Sequence, residues 1–176
     1  MAKPTGGPPV LGVAGRSDAG KTTLLEGLVR ALKARGLCVA VIKHAAHGFA
    51  MDHPGKDSHR LSAAGADAVA VASENRAAVL LSTPVPPNPL QMAQTFFPFA
   101  DLVLLEGYKN LPVPKIEVLG FAHPAPKPLL AEDPNLRAYA FPGKVENAKV
   151  PVFDPDDYEK LADWVVGEFL GKKGGD

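Results

Sequence analysis

Residues 15–22 read Gly-Arg-Ser-Asp-Ala-Gly-Lys-Thr and match the pattern G-x-x-x-x-G-K-S/T. In such a loop the glycines let the backbone wrap around a phosphate, and consecutive N–H groups at a helix start point at the anion. Lys21 would reach the β- and γ-phosphates of a nucleotide, and Thr22 would offer its hydroxyl to Mg²⁺. The sequence therefore predicts a phosphate site, with the candidates Gly15, Arg16, Ser17, Asp18, Ala19, Gly20, Lys21 and Thr22.

A phosphate loop needs a second acidic group for the metal ion, and two carboxylates flank the apolar run 102–105. Ligands of a parallel sheet gather beyond the carboxyl ends of its strands. This rule favours Glu106, which follows the run, as the residue that faces the phosphates. Asp101 precedes the run, so we expect it to cap or link elements at the opposite edge.

The same rule brings Lys43, His44 and His47 to that edge, because they end or follow the apolar run 37–42. The histidines could bind a metal ion, form the wall of a pocket beside the phosphates, or lie in solvent; a dedicated zinc site would usually add cysteines. Asp57 stands where the polar segment 44–56 meets a short predicted helix. There a carboxylate could cap the helix and also support a metal site.

The elements that must position these residues alternate between short apolar runs and helical patterns, which is typical of strand-helix-strand units. We predict a three-layer α/β domain of the P-loop NTPase type, with a mostly parallel sheet flanked by helices. It would be a single domain over residues 1–176, with flexible termini at 1–9 and 171–176. The proline-rich segment Thr83–Pro89 is interpreted as a surface connection between parts of one sheet. The predicted strands are Val10–Ala14, Leu37–Lys43, Ala68–Ala72, Ala77–Leu81, Leu102–Leu105, Lys115–Leu119 and Leu136–Phe141, and the predicted helices precede Gly36, begin at Asp57 or Ser58, and begin at Asp154.

Composition excludes several classes of protein. Nineteen Lys and Arg balance nineteen Asp and Glu, so a charge-driven grip on nucleic acid is not expected. No apolar run reaches the ~18 residues of a membrane helix, and residues 1–9 lack the apolar run of a secretion signal. We therefore expect no membrane association and a cytoplasmic location. The one cysteine, Cys38, is expected to be a buried hydrophobe without chemistry.

Taken together, these motifs resemble the family of molybdopterin-guanine dinucleotide biosynthesis protein B (MobB). The second and third of the elements below are more specific than the phosphate loop alone, and the resemblance covers nearly the whole chain. The elements are Gly20-Lys21-Thr22-Thr23-Leu24-Leu25, Pro54-Gly55-Lys56-Asp57-Ser58, Glu106-Gly107-Tyr108-Lys109, Ile42-Lys43-His44 with His47, and Lys115-Ile116.

The resemblance implies a GTP-binding protein of molybdenum cofactor biosynthesis that also binds Mg²⁺. Members hydrolyse GTP slowly, are generally homodimers, and assist a guanylyltransferase, the A protein, that joins GMP to molybdopterin. The chain would thus act mainly as an adapter. Lys21 and Glu106 would take the catalytic roles and Thr22 and Glu106 the metal. The resemblance adds Thr23 to the phosphate-binding residues, and places Lys43, His44, His47 and Asp57 in the functional groove.

Some points stay open at this stage. The choice of guanine rests on the resemblance alone, because the base-reading pattern Asn-Lys-x-Asp is absent. A kinase of a small metabolite and a nickel-type metallochaperone using His44 and His47 are the alternatives. Arg16 lies where some dimeric P-loop proteins place a lysine that reaches the partner's phosphates, or it could be solvated. The chain departs from the family at Ala46, often histidine, and at Gly120, often arginine.

Overall fold

A computed structural model describes residues 7–45, 48–49, 52–121 and 127–171. Residues 1–6 and 172–176 of the termini predicted to be flexible lie outside these ranges. The strands of the described residues are β1 (Val10–Gly15), β2 (Val39–Lys43), β3 (Ala68–Ala72), β4 (Ala77–Leu81), β5 (Leu102–Glu106), β6 (Lys115–Val118), β7 (Leu136–Ala140) and β8 (Val152–Phe153). The helices are α1 (Lys21–Ala34), α2 (Asp57–Ala63), α3 (Pro89–Phe96) and α4 (Tyr158–Val165).

Six strands form one parallel sheet in the order β2-β5-β1-β6-β7-β8. β5 lies inside this sheet and is buried along its whole length, which explains why its sequence is a continuous apolar run without alternation. Because all six strands run the same way, their carboxyl ends meet at one edge. The end of β1, the end of β2 and the end of β5 are neighbours there.

Helices cover both faces of this sheet. α1 and α4 pack on one face, where Leu28 and Leu161 are fully buried. α3 packs on the other face, where Ala93 joins Ala40 and Val103 in a second apolar cluster. The predicted α/β fold, with a mostly parallel sheet flanked by helices, is confirmed.

The phosphate loop is positioned by a strand and a helix whose bounds follow from local sequence. β1 ends at Gly15, and α1 begins six residues later at Lys21. The helix buries Leu24, Leu28 and Leu32, spaced by one turn, so its apolar stripe faces the sheet. It ends where Gly36 adopts the left-handed conformation, with φ of +77°.

The chain divides into two compact units, Met1–His44 with Pro89–Asp176, and Ala45–Asn88. In the second unit β3 and β4 pair only with each other, as an antiparallel two-stranded sheet. The interpretation of Thr83–Pro89 as a link within one sheet is therefore wrong. The reason is the short connection between β3 and β4, which permits a hairpin but not a parallel crossover. The single-domain description of residues 1–176 stays a prediction.

Other elements differ from expectation in their bounds. α3 and β8 were not predicted, and α4 begins at Tyr158, not at Asp154. The carboxylate of Asp157 sets this start, because it accepts a hydrogen bond of 3.1 Å from the N–H of Lys160. The helix continues as a π-helical turn over Val166–Leu170. Within the described part of the chain, every helix is too short or too polar to cross a membrane.

Candidate functional site

The phosphate loop requires glycine at its two motif positions. Gly15 has φ of +148°, and a Cβ there would collide with the carbonyl oxygen of Val118 on β6. Gly20 has φ of +90° and precedes the first residue of α1. Since no side chain caps this helix start, the N–H groups of its first turn are offered to the loop's own ligand.

Lys21 curls back over the loop. Its ammonium donates to the carbonyl oxygen of Arg16 at 2.5 Å and lies 3.4 Å from that of Gly15. The positive charge is thereby held above the loop, at the mouth of a cavity of about 470 Å³. The cavity is lined by Ser17, Asp18, Gly20, Lys21, Thr22, Thr23, Lys43 and Glu106.

Three side chains from three different elements meet in this cavity. The Thr22 hydroxyl donates to Glu106 Oε1 at 3.0 Å. The Lys43 ammonium donates to the same carboxylate oxygen at 2.8 Å and lies 3.4 Å from the Thr22 hydroxyl oxygen. A hydroxyl, a carboxylate and a cation therefore share one small volume beside the phosphate loop.

The sheet explains why they meet. Lys43 is the last residue of β2 and Glu106 the last of β5, and they are direct register partners. Thr22 lies in the first turn of α1, which follows β1, the other neighbour of β5. Asp101 precedes the opposite end of β5, where it accepts a hydrogen bond of 2.8 Å from the N–H of Cys38. Its predicted linking role, and the preference for Glu106 at the cavity, agree with this geometry.

A tight turn after β5 folds back over the end of β2. Gly107 has φ of +90° and donates its N–H to the carbonyl of Val13 at 2.9 Å. A Cβ on Gly107 would stand 3.1 Å from that of His44. Tyr108 follows with φ of +47°, an uncommon conformation for a residue with a side chain, and its ring centre lies 5.0 Å from that of His44. Burial raises the pKa of the Tyr108 hydroxyl.

The remaining predicted residues are less closely gathered. Arg16 is exposed, and its guanidinium lies 3.4 Å from the carbonyl oxygen of Lys127. His47 lies outside the described residues. Asp57 belongs to the unit Ala45–Asn88, where its exposed carboxylate pairs with Arg60 at 3.6 Å. α2 begins at Asp57, so Lys56 holds the capping position and the prediction that Asp57 or Ser58 caps this helix is wrong.

Sequence reasoning missed two buried charges on β6. Glu117 accepts hydrogen bonds from the N–H groups of Leu129 and Leu130 at 2.6 and 3.0 Å. Burial raises the pKa of its carboxyl, against the opposing effect of these two bonds and of Arg16. The glutamate therefore holds the segment that Arg16 also contacts. The signal in the sequence was its position two residues into the strand Lys-Ile-Glu-Val.

Lys115, on the same strand, is 1% exposed and forms an ion pair of 2.7 Å with Asp133. The hydrogen bond from this ammonium lowers the pKa of the Asp133 carboxyl. The pair ties β6 to the segment that precedes β7. Its role is structural support of the sheet next to the phosphate loop.

The oxygen atoms of Thr22 and Glu106 are the candidates for holding a metal ion. Both are hard donors of the kind Mg²⁺ prefers, and both already contact the Lys43 ammonium, so the pair accommodates a cation. Within the described ranges, no cluster of three or more His, Cys, Asp or Glu side chains suited to a metal is present. Metal binding by the histidines stays a hypothesis, because it includes His47.

Comparison with known proteins gives a consistent family. Residues 10–141 match the family described as "Molybdopterin guanine dinucleotide synthesis protein B". This range begins at β1 and ends just beyond β7. It therefore includes the phosphate loop, Lys43 and Glu106.

Curated relatives carry a related description. The "Molybdopterin-guanine dinucleotide biosynthesis adapter protein" of Haemophilus influenzae is 47% identical over 109 residues, which span 61% of this chain and 61% of that protein. The protein of the same name from Escherichia coli K12 is 39% identical over 172 residues, which span 95% of this chain and 96% of that protein.

Solved structures share the fold. Bacillus subtilis MobB superposes with a TM-score of 0.72 at 27% identity, covering 93% of this chain and 99% of that one. The MobB homolog from Bacillus stearothermophilus gives a TM-score of 0.65 at 27% identity, covering 90% and 96%. The similarity extends over nearly the full length of those chains.

Proposed function

Because the chain belongs to the family of molybdopterin guanine dinucleotide synthesis protein B, we propose that it is a GTP-binding adapter of molybdenum cofactor biosynthesis. In this role it assists a guanylyltransferase that attaches GMP to molybdopterin. The observation that carries the proposal is the meeting of Thr22, Glu106 and Lys43 beside the phosphate loop, at the carboxyl edge of the sheet. A cytoplasmic location stays a prediction from the sequence.

Nucleotide binding follows from the loop's charges and backbone. The helix start after Gly20 and the Lys21 ammonium offer positive charge to a triphosphate. Thr22 and Glu106 would hold Mg²⁺, which supplies charge neutralisation between the phosphate oxygens. Guanine is preferred in this proposal on the strength of the family alone.

Slow hydrolysis follows from how Glu106 is engaged. Its Oε1 atom accepts hydrogen bonds from both Thr22 and Lys43, and its side chain is 11% exposed. A carboxylate held by an ammonium is a weak base, because the positive charge favours its ionised form. We therefore propose that the chain works mainly through its nucleotide-bound shape and turns over GTP slowly.

The second unit supports self-association. β3 and β4 consist only of alanine, valine and leucine, and Val71, Val79 and Leu81 are each more than half exposed. Two exposed apolar strands are rarely stable without further cover. We propose that this hairpin packs against a second copy of the chain, giving the homodimer that the family resemblance implies.

The proposal is tested by reconstitution with a purified molybdenum cofactor guanylyltransferase and molybdopterin. Addition of the chain with GTP should increase the yield of molybdopterin-guanine dinucleotide, and the guanylyltransferase should be retained on the immobilised chain. Lys21→Ala should lose the GTP-dependent gain. ATP consumption matched by a phosphorylated acceptor would instead support a kinase, and tight nickel or zinc binding abolished by His44→Ala would support a metallochaperone.

A further inference from the structure

The Lys43 ammonium lies against both oxygen atoms that would hold a metal ion. It is 2.8 Å from Glu106 Oε1 and 3.4 Å from the Thr22 hydroxyl oxygen. We propose that Lys43 is an internal cation that competes with Mg²⁺ for these two oxygens, so that metal loading requires a bound nucleotide. The inference rests on the proposed nucleotide binding at this loop.

Competition follows from distance and charge. Mg²⁺ binds its oxygen ligands at about 2.0–2.1 Å and tolerates little distortion of its octahedral shell. An ammonium at hydrogen-bond distance from the same carboxylate oxygen would stand within a few ångströms of the metal ion. The two positive charges repel each other, so Lys43 must leave before Glu106 can serve the metal ion.

Lys43 is able to leave, whereas Glu106 is not. The Lys43 side chain is 57% exposed, and its flexible stem can carry the ammonium into solvent. The Glu106 side chain is 11% exposed, at the end of a fully buried strand. The carboxylate is therefore a fixed acceptor, and the lysine is an exchangeable cation that keeps it ionised and oriented.

A nucleotide would favour the exchange. Lys43 lines the same cavity as the phosphate loop, so a triphosphate there offers its ammonium new anionic partners. The other charged side chains that line this cavity are Lys21, Asp18 and Glu106. Of these, Lys21 is held over the loop carbonyls of Gly15 and Arg16, which leaves Lys43 as the lysine that contacts the metal-binding oxygens. Lys43 thus couples the arrival of triphosphate to the release of Glu106.

The test compares wild type with Lys43→Met, which keeps the length of the side chain and removes its charge. Binding of a fluorescent GTP analogue is measured at increasing free Mg²⁺, and the midpoint in Mg²⁺ is the readout. Removing one charge-assisted hydrogen bond to Glu106 should lower this midpoint by about tenfold. Lys43→Arg should restore a midpoint near that of wild type.

A second measurement needs no nucleotide. Mn²⁺ binding to the protein alone is followed by electron paramagnetic resonance, and Lys43→Met should bind Mn²⁺ more tightly than wild type. Lys33→Met is the matched control, because Lys33 lies in the last turn of α1, at the end opposite Thr22. It should match wild type in both measurements.

An unchanged or higher Mg²⁺ midpoint in folded Lys43→Met would overturn the inference. So would unchanged Mn²⁺ binding. If wild type bound no GTP analogue at any Mg²⁺ concentration, the proposed function would fail, and the Mn²⁺ comparison would still decide the role of Lys43. Should Lys43→Met not fold, as judged by circular dichroism, Lys43→Gln takes its place with the same two expectations.

Discussion

Lys43 and Glu106 are register partners at the carboxyl ends of β2 and β5, and their side chains form an ion pair of 2.8 Å. A slip of one residue between these strands would turn one of the two side chains to the other face of the sheet. The site is therefore as precise as the pairing of two parallel strands. Its chemistry depends on the sheet as much as on the phosphate loop.

The first prediction concerns the charge of Glu106. Glu106→Gln keeps the shape of the side chain but removes the charge that would hold a metal ion. We expect the variant to bind GTP with little or no dependence on Mg²⁺ and to hydrolyse it more slowly than wild type. Calorimetric titration with and without Mg²⁺ measures the first effect. Wild-type turnover with the wild-type Mg²⁺ response would show that Glu106 has no part in the site.

The second prediction concerns the contact between α1 and α4. Gly27 lies on the buried face of α1, where a Cβ would collide with the ring of Tyr158. Alanine is the better helix former by about 1 kcal/mol, yet overpacking costs about 1–3 kcal/mol. We expect Gly27→Ala to lower the free energy of unfolding in urea, and Tyr158→Leu to reduce that loss.

Gly167 provides the control for this helix contact. It has negative φ, and nothing lies within 4 Å of the position its Cβ would take. Gly167→Ala should therefore leave the unfolding midpoint unchanged or raise it slightly. A Gly27→Ala protein as stable as Gly167→Ala would contradict the close approach of the two helices.

The third prediction concerns the buried Lys115–Asp133 pair. Asp133→Asn leaves the Lys115 ammonium, 1% exposed, without its charged partner. We expect a loss of about 3 kcal/mol in the free energy of unfolding at neutral pH. In Asp163→Asn, the exposed pair with Arg35 is removed instead, and the cost should stay below about 1 kcal/mol.

The same pair gives a pH dependence of known sign. The Lys115 hydrogen bond lowers the pKa of Asp133 in the folded protein, so the stabilising contribution of this carboxylate is complete above its usual pKa of about 3.9. It is lost as the pH falls through the lowered value. The difference in unfolding free energy between wild type and Asp133→Asn should shrink below about pH 4. A difference that grows on acidification would refute the assigned cause.

The phosphate loop and Glu106 were predictable because their signals are local. A fixed spacing of two glycines and a lysine between a strand and a helix identifies the loop. The direction of a parallel strand then decides between Glu106 and Asp101, since only one of them follows the strand. Strands β1, β5 and β7 were found for the same reason, as short apolar runs with clear ends.

The Lys43–Glu106 contact was beyond the sequence, because nothing in the chain states that β2 and β5 are neighbours. The pairing of β4 with β3 alone was also missed, since an apolar run looks the same in either sheet. Lys115 and Glu117 are buried only because the segment 127–133 folds over them. Each of these features depends on residues distant in the chain.

The central claim is GTP binding at the phosphate loop, and its most direct test is calorimetric titration of wild type and Lys21→Ala with GTP and ATP in Mg²⁺. Wild type should bind GTP more tightly than ATP. Loss of the Lys21 charge-assisted hydrogen bonds should weaken GTP binding by about 10- to 100-fold, with the circular dichroism spectrum unchanged. The absence of GTP binding by wild type, or equal GTP affinity in folded Lys21→Ala, would contradict the account.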